Sequence, residues 1–356
     1  LLCYMVKGNS GGARKIVIDY RDQTSIIDSF YDWADVYAKI NVNETETIVP
    51  DKSKLRLIAP GFGIRYYNFS QTLWNAFSNL LVIKKGHFGI SVNAKDFLRD
   101  YLLTWYRRRP YKEYHLNSIK ERNNYVFFVS TLWRHKNCIE HTNPLRALFM
   151  RTCKKLGIDF EGGFYISQSG NSAAKDGYED LLLSQRVELK DYIVKTRQSM
   201  FVYNVPSCLN CHGWKLGEFL AMGKAIISAP LYNQLPGNGK QLMVSVDSEK
   251  ELEDAIVLLA KNIEKRKMLE VNGFTGDNCS VFGLSDDTSH VIFFTGDITE
   301  IATVSYDCLD GLLHIEALRS GQGNVILRIK IIFRCHLSDN TSDIGIRLYR
   351  TAVHAQ

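Results

Sequence analysis

Short apolar runs alternate with longer amphipathic stretches over most of the first 272 residues. Leu1–Met5, Lys15–Tyr20, Val36–Ile40 and Leu55–Ala59 are apolar runs of strand length. Residues 71–83 and 94–106 carry helical spacing instead. Further on, Tyr125–Trp133 predicts a buried strand. Pro144–Leu156 predicts a helix with Leu145, Leu148, Phe149, Thr152 and Leu156 on one face. Ile158–Phe160 leads into Glu161-Gly162-Gly163, where glycines allow either a tight turn or a ligand close to the backbone. Leu181–Arg197 reads as a helix. Met200–Val205 and Ala225–Ser228 are short apolar runs joined through a helical stretch, Lys215–Met222, which Gly223 stops. Leu242–Val246 is a further strand. The last helix opens at Asp247-Ser248, where Ser248 and Glu251 have the spacing of a capping box, and runs to about Asn272. Strands joined through helices predict a doubly wound α/β fold with parallel sheets.

The pattern breaks twice. Arg107-Arg108-Arg109-Pro110-Tyr111-Lys112 is a polar interruption that places a linker near 107–123. Such a basic cluster is ordinarily a solvated face; the other reading is a contact with a lipid phosphate or a membrane surface. From Phe274 onward no long helix is legible. Cys279–Leu284, His290–Thr295, Ile301–Asp307, Leu312–Leu318, Asn324–Cys335 and Ile344–Ala352 are strand-like, with Gly, Asp and Ser between them. The expected organisation is therefore a short α/β domain at 1–115, a second α/β domain at 124–272, and a β-rich, sandwich-like module of unassigned role at 274–356.

Composition narrows the classes. With 45% hydrophobic and 23% charged residues the 356-residue chain is ordinary for a globular protein. No apolar run approaches the roughly 18 residues needed to span a bilayer. The start, Leu-Leu-Cys-Tyr-Met-Val-Lys, lacks the features of a signal peptide, and its first residue is not Met, which points to a fragment or a processed product. Eight scattered cysteines in a long chain fit free thiols in a reducing compartment. The expected location is the cytoplasm, with the inner face of the membrane as a further site. A net charge of +6 is mild and reads either as a generic surface or as an aid to recruitment to anionic membranes or phosphorylated substrates; no nucleic-acid partner is expected.

The candidate chemistry lies in one stretch. Its residues are Pro206-Ser207, Gly213-Trp214-Lys215-Leu216, Glu218, Leu220-Ala221-Met222-Gly223-Lys224 and Ala225-Ile226-Ile227, followed by Pro230-Leu231 and Leu235-Pro236. A loop in this position follows a parallel strand and precedes a helix, where free backbone N–H groups receive anions. The stretch resembles the donor-sugar segment of the GT-B glycosyltransferases, in the branch that assembles polysaccharides. The resemblance covers about 15–272 and is strongest at 199–236. It implies two Rossmann-like domains, the first one short here. It also implies a nucleotide-diphosphate sugar as co-substrate and a glycan or lipid-linked acceptor.

The resemblance implies that Glu218 binds the ribose hydroxyls, and that backbone amides near His212 and Gly213 face the diphosphate. A first-turn glutamate also complements the helix dipole, so Glu218 has a purely structural reading too. Lys215 is placed to neutralise the diphosphate, and Arg134 and Lys136 are further phosphate candidates. Asn210 stands where many retaining members carry a second glutamate that touches the donor sugar. No Asp-x-Asp occurs in the chain, which favours a metal-independent mechanism. In the first domain, Asp19, Arg21 and Asp22 read as ion-paired rather than substrate-facing, and Gly11-Gly12 is a weak phosphate-loop candidate.

Cys208-Leu-Asn-Cys-His212 has the letters of a c-type haem attachment site, and a CxxC is also half a zinc site or a redox pair. No second CxxC completes a four-cysteine site. The resemblance accounts for this loop without a cofactor, so neither cofactor nor metal is expected. The sequence-level conclusion is a glycosyltransferase with no named catalytic base; the alternative is a non-catalytic carbohydrate-binding or scaffold protein.

Overall fold

The computed structural model describes residues 2–7, 13–65, 67–85, 93–114, 119–166, 177–236, 242–275, 313–319, 325–333 and 344–349. The chain forms two compact units. One comprises Leu1–Arg21, Ser25–Tyr111 and Ser280–Gln356; the other comprises Asp22–Thr24 and Lys112–Cys279.

The first unit opens with β1 (Leu2–Lys7) and β2 (Ala13–Asp19), an antiparallel pair. Helix α1 (Asp28–Trp33) follows, and then β3 (Val36–Lys39) and β4 (Leu55–Leu57) add in parallel. Helices α2 (Phe69–Lys85) and α3 (Ala94–Arg107) pack on each other through Ala76, Leu80, Phe97 and Tyr101. Asn93 caps α3 by accepting from the N–H groups of Lys95 and Asp96. A short helix α4 (Tyr111–Tyr114) spans the point where the chain passes to the second unit. Of the basic cluster, Arg107 is exposed while Arg108 and Arg109 are half-buried. The Arg109 carbonyl accepts from the Arg65 N–H at 2.8 Å.

The second unit alternates as its pattern predicts. Its parallel strands are β5 (Tyr125–Thr131), β6 (Asp159–Tyr165), β7 (Val202–Asn204), β8 (Ile226–Ser228) and β9 (Met243–Ser245). Helices α5 (Asn143–Lys155), α6 (Leu189–Gln198), α7 (Trp214–Ala221), α8 (Glu249–Lys261) and α9 (Ile263–Thr275) alternate with them. β5 pairs with β6, and β7 with β8 and β8 with β9. β5 lies beside the entry to β7: the Met200 N–H bonds to the Tyr125 carbonyl at 2.9 Å, and Ser199 Oγ accepts from the Phe127 N–H at 2.8 Å. The ladders form a two-stranded sheet, β5-β6, and a three-stranded one, β7-β8-β9; with β5 beside β7 the side-by-side order β6-β5-β7-β8-β9 follows the doubly wound pattern, its direction of growth reversing between β5 and β7. The core gathers Val126, Phe128, Phe149, Phe164, Phe201, Tyr203 and Ile227, with Phe149 stacked on Tyr203 at 4.5 Å between centroids.

Several boundaries differ from the pattern. Helix α6 starts at Leu189 rather than Leu181, because Leu182 bridges to Phe164 and the Leu183 N–H bonds to the Phe164 carbonyl. Gly162 and Gly163 are neither a turn nor a ligand approach. They lie within β6 at φ 134° and 156°, and a Cβ on them would meet the Phe128 and Leu181 carbonyl oxygens at 1.9 and 2.2 Å. The single last helix is two, because the Asn262 side chain accepts from the Lys265 N–H at 2.8 Å and caps a new start. The capping box holds in substance: Ser248 accepts from the Glu251 N–H, while the Glu251 carboxylate accepts from the Asp247 N–H at 2.8 Å.

Within the 274–356 stretch, β10 (Leu313–Arg319), β11 (Val325–Phe333) and β12 (Ile344–Tyr349) are antiparallel, and β12 pairs with β1. They extend the first unit's sheet in the order β10-β11-β12-β1-β2-β3-β4. The expected strands at 279–284, 290–295 and 301–307, and Gly11-Gly12, lie outside the described residues. No helix is long and apolar enough to cross a membrane among the described residues.

Candidate functional site

In doubly wound sheets the crevice for ligands opens at the carboxyl ends of the strands, where the strand order reverses. The second unit has a cavity of about 450 Å³ in that place. Ser130 and Thr131 at the end of β5, and Asn204 and Val205 at the end of β7, contribute to its wall. The rest of the wall includes Arg146 from α5, the loop residues Ser207, Cys208 and Cys211–Gly213, and Trp214 and Lys215 at the start of α7.

The loop between β7 and α7 is wound tightly. Leu209 and Asn210 take left-handed conformations at φ 54° and 56°. The Ser207 N–H bonds to the Cys211 carbonyl at 2.9 Å, and the Cys211 N–H to the Cys208 carbonyl at 3.1 Å. These bonds carry the chain to Gly213, the N-cap of α7, which has no side chain to cap the helix.

Two cations stand in the wall. Arg146 is 6% exposed, and its Nη1 is buried without a hydrogen-bond partner among the described residues. A buried guanidinium in this state is costly unless an anion completes it. Burial pushes its pKa down to about 10. Lys215 is half-buried, and its ammonium is flanked by rings: 4.4 Å from the centre of Tyr192 and 5.9 Å from that of Phe128. Loss of water pushes its pKa down to about 8; Glu218 opposes this and Arg146 adds to it.

Glu218 sits one turn into α7 and does not line the cavity. Its Oε2 accepts from the Tyr192 hydroxyl at 2.6 Å. Burial first, and then this carboxylate, raise the tyrosine's pKa well above its ordinary value. Tyr192 therefore touches both predicted residues of α7, binding Glu218 through its hydroxyl and covering Lys215 with its ring.

The remaining predicted residues divide. His212 and Gly213 reach the wall. His212 is buried, its Nε2 lies 3.0 Å from the Gln234 carbonyl, and burial lowers its pKa. Asn210 lies outside the wall; its Oδ1 accepts from Asn137 at 3.2 Å and its carbonyl from Asn233 at 3.0 Å. Arg134 and Lys136 are exposed and outside the wall, and Lys136 lies 3.9 Å from Glu140. Arg146 is the residue that sequence reasoning missed. Of the predicted face of α5, Phe149 and Thr152 are buried and Leu145, Leu148 and Leu156 are half-buried, but the buried side also runs through Arg146, Ala147, Met150 and Cys153.

In the first unit Asp19 and Arg21 are ion-paired, as their sequence suggested, whereas Asp22, read in the same way, lines the cavity of the second unit. Buried Asp19 accepts from Arg21 at 2.8 Å, Lys39 at 3.0 Å and the Tyr37 hydroxyl at 2.7 Å.

No protein-family model matches the chain, and no curated protein sequence matches it. Among solved structures the chain is similar to one described as a "putative UDP-N-acetylglucosamine 2-epimerase" from Listeria monocytogenes. That pair is 12% identical over 72% of this chain and 68% of the other, with a TM-score of 0.33. It is also similar to WaaG, a glycosyltransferase involved in lipopolysaccharide biosynthesis, at 11% identity, 67% and 57% coverage and a TM-score of 0.33. A third is the pneumococcal O-GlcNAc transferase GtfA in complex with UDP and GlcNAc, at 11% identity, 77% and 47% coverage and a TM-score of 0.33. In the second and third pairs the chain spans only about half of its counterpart. Overlaps of this size establish neither the fold nor the activity, and the conclusion on architecture rests on the strand order alone: the chain is α/β, with parallel strands in both units.

Proposed function

We propose that the chain is a glycosyltransferase that moves a sugar from a nucleotide-diphosphate sugar to a glycan or lipid-linked acceptor. The observation that carries this reading is the buried Nη1 of Arg146, without a partner among the described residues, in the wall of a cavity at the strand-order reversal. A diphosphate supplies the missing charge and acceptor oxygens. Lys215 adds a second cation, and the start of α7, which has no side-chain cap, adds the positive end of its dipole. The donor's sugar–oxygen bond breaks as the acceptor oxygen attacks, the electron pair leaves with the diphosphate, and the acceptor hydroxyl's proton ends on the released diphosphate or in solvent. Fixed cations stabilise that charge. Glu218, oriented by Tyr192, is assigned to the ribose hydroxyls on the resemblance of its segment.

The test is a thermal-shift series with UDP, GDP, CDP, ADP and dTDP on the wild type, Arg146→Met and Glu218→Ala. A ligand of the folded state raises the midpoint by mass action, about 2.7 kcal/mol at a hundredfold excess over Kd. One nucleotide should shift the wild type and lose its effect in Arg146→Met. No shift with any nucleotide would abandon the donor site for the carbohydrate-binding reading. A shift that survives Glu218→Ala with its preference for ribose intact would remove Glu218 from the contact.

A further inference from the structure

The CxxC of the loop is split. Cys208 does not form a pair with Cys211; its Sγ lies 3.3 Å from that of Cys138, seventy residues earlier. Cys138 opens a wide helical turn, Cys138–Thr142, and the Cys138 N–H bonds to the His135 carbonyl at 2.8 Å. That turn brings the His135 ring to the two sulfurs, and all three ligand atoms lie within 4.8 Å of one another. Arg146 is an electrostatic neighbour of both sulfurs.

We propose that His135, Cys138 and Cys208 bind a zinc ion. Two thiolates and an imidazole are a ligand set suited to zinc. Thiolates on a tetrahedral zinc, each at about 2.3 Å, stand about 3.8 Å apart, so the two sulfurs part by about 0.5 Å to admit the ion. Binding forms two Zn–S bonds and one Zn–N bond, and the two thiol protons pass to the buffer; no oxidant takes part. The fourth position is left to water or to an anion. Cys208 is itself a wall residue of the cavity, so the ion pins the β7–α7 loop to the segment after β5. This is a positional role: it holds the loop that presents Gly213 and Lys215.

The sequence concealed the site because its ligands come from two segments, as His-x-x-Cys and a single cysteine, while the visible CxxC contributes only its first member. The test uses the full chain purified with a thiol reductant, loaded with zinc and desalted. Elemental mass spectrometry should find about one zinc per chain in the wild type. His135→Asn and Cys138→Ser should retain at least about tenfold less, and Cys211→Ser about the wild-type amount. His135 is exposed, so its replacement leaves folding intact even where the buried Cys138 does not tolerate change. Cobalt loading should give thiolate-to-metal absorption that disappears in His135→Asn or Cys138→Ser. Wild-type protein without zinc would overturn the proposal. So would zinc lost in Cys211→Ser but kept in His135→Asn, or a Cys138–Cys208 disulfide that persists in the presence of the thiol reductant.

Discussion

Lys39 in the first unit and Arg146 in the second are both buried cations, set in opposite circumstances. Lys39 is fully buried against Asp19, which also holds Arg21 and the Tyr37 hydroxyl, so its counter-charge lies within the fold. Arg146 has a buried Nη1 with no partner among the described residues and opens on a cavity. Lys215 shares that cavity, with aromatic faces as its close contacts. A completed network has its counter-charge built in and does structural work. An incomplete one retains a desolvation cost that a bound anion relieves. The same residue types therefore read as scaffold in one unit and as site in the other.

The completed network should break hardest. Asp19→Asn leaves Lys39 charged and buried, and should cost about 3–5 kcal/mol in urea unfolding. A loss below about 1 kcal/mol would mean that the network is not holding the first unit together. Acid should reproduce the defect. Burial pushes the Asp19 pKa up, but Arg21, Lys39 and Tyr37 outweigh it and hold the carboxyl below its ordinary value. A carboxylate with a depressed folded pKa contributes stability that is full above its unfolded value of about 3.9 and is lost as pH falls through the folded one.

Arg146→Met should behave in the opposite way. Removing a buried charge whose Nη1 has no partner among the described residues should leave stability unchanged or raise it by up to about 2 kcal/mol. Nucleotide affinity should meanwhile fall about 10- to 100-fold by calorimetry, the worth of one charge-assisted hydrogen bond. Loss of stability with no change in affinity would make Arg146 scaffold and cancel the contrast with Lys39.

Much of this architecture was legible in the chain because burial and period agree. The runs at Tyr125–Trp133, Met200–Val205 and Ala225–Ser228 are strands, and Gly223 ends its helix at positive φ. Helix α1 was not legible, for Asp28–Trp33 is six residues long and its N-cap, Ile27, has no side-chain cap. The site was half legible. Lys215, His212, Gly213 and Glu218 are near neighbours in sequence, and a local pattern holds them together. Arg146 comes from another helix, where it looks like any of the surface cations Arg151, Lys154 and Lys155. Only packing shows that its side of α5 faces inward. The Cys138–Cys208 approach was hidden for the same reason.

Lys215→Met should lower nucleotide affinity about tenfold with little change in stability. Its signature is pH. The free ammonium titrates near 8, and a bound diphosphate favours the protonated form. Affinity in the wild type should thus be full below about 8 and decline as pH rises through the pKa of the complex. The variant should show a flatter profile over the same range. Identical profiles would place the diphosphate elsewhere.

Tyr192→Phe gives the smallest and most selective effect. The ring remains, so the aromatic faces beside Lys215 and its pH profile should be kept. Only the hydroxyl bond to Glu218 is lost, and the half-buried carboxylate is able to recover water, so the cost should be about 1 kcal/mol. That loss should appear as discrimination rather than as overall affinity. The preference for the nucleotide that binds over its 2′-deoxy form should shrink two- to fivefold, about the equivalent of 0.5–1 kcal/mol, and fall further in Glu218→Ala. If Tyr192→Phe instead moved the pH profile and left ribose discrimination alone, Tyr192 would serve Lys215 rather than Glu218. The two cavity cations would then form one unit with the aromatic faces, and Glu218 would belong with the paired groups of the scaffold.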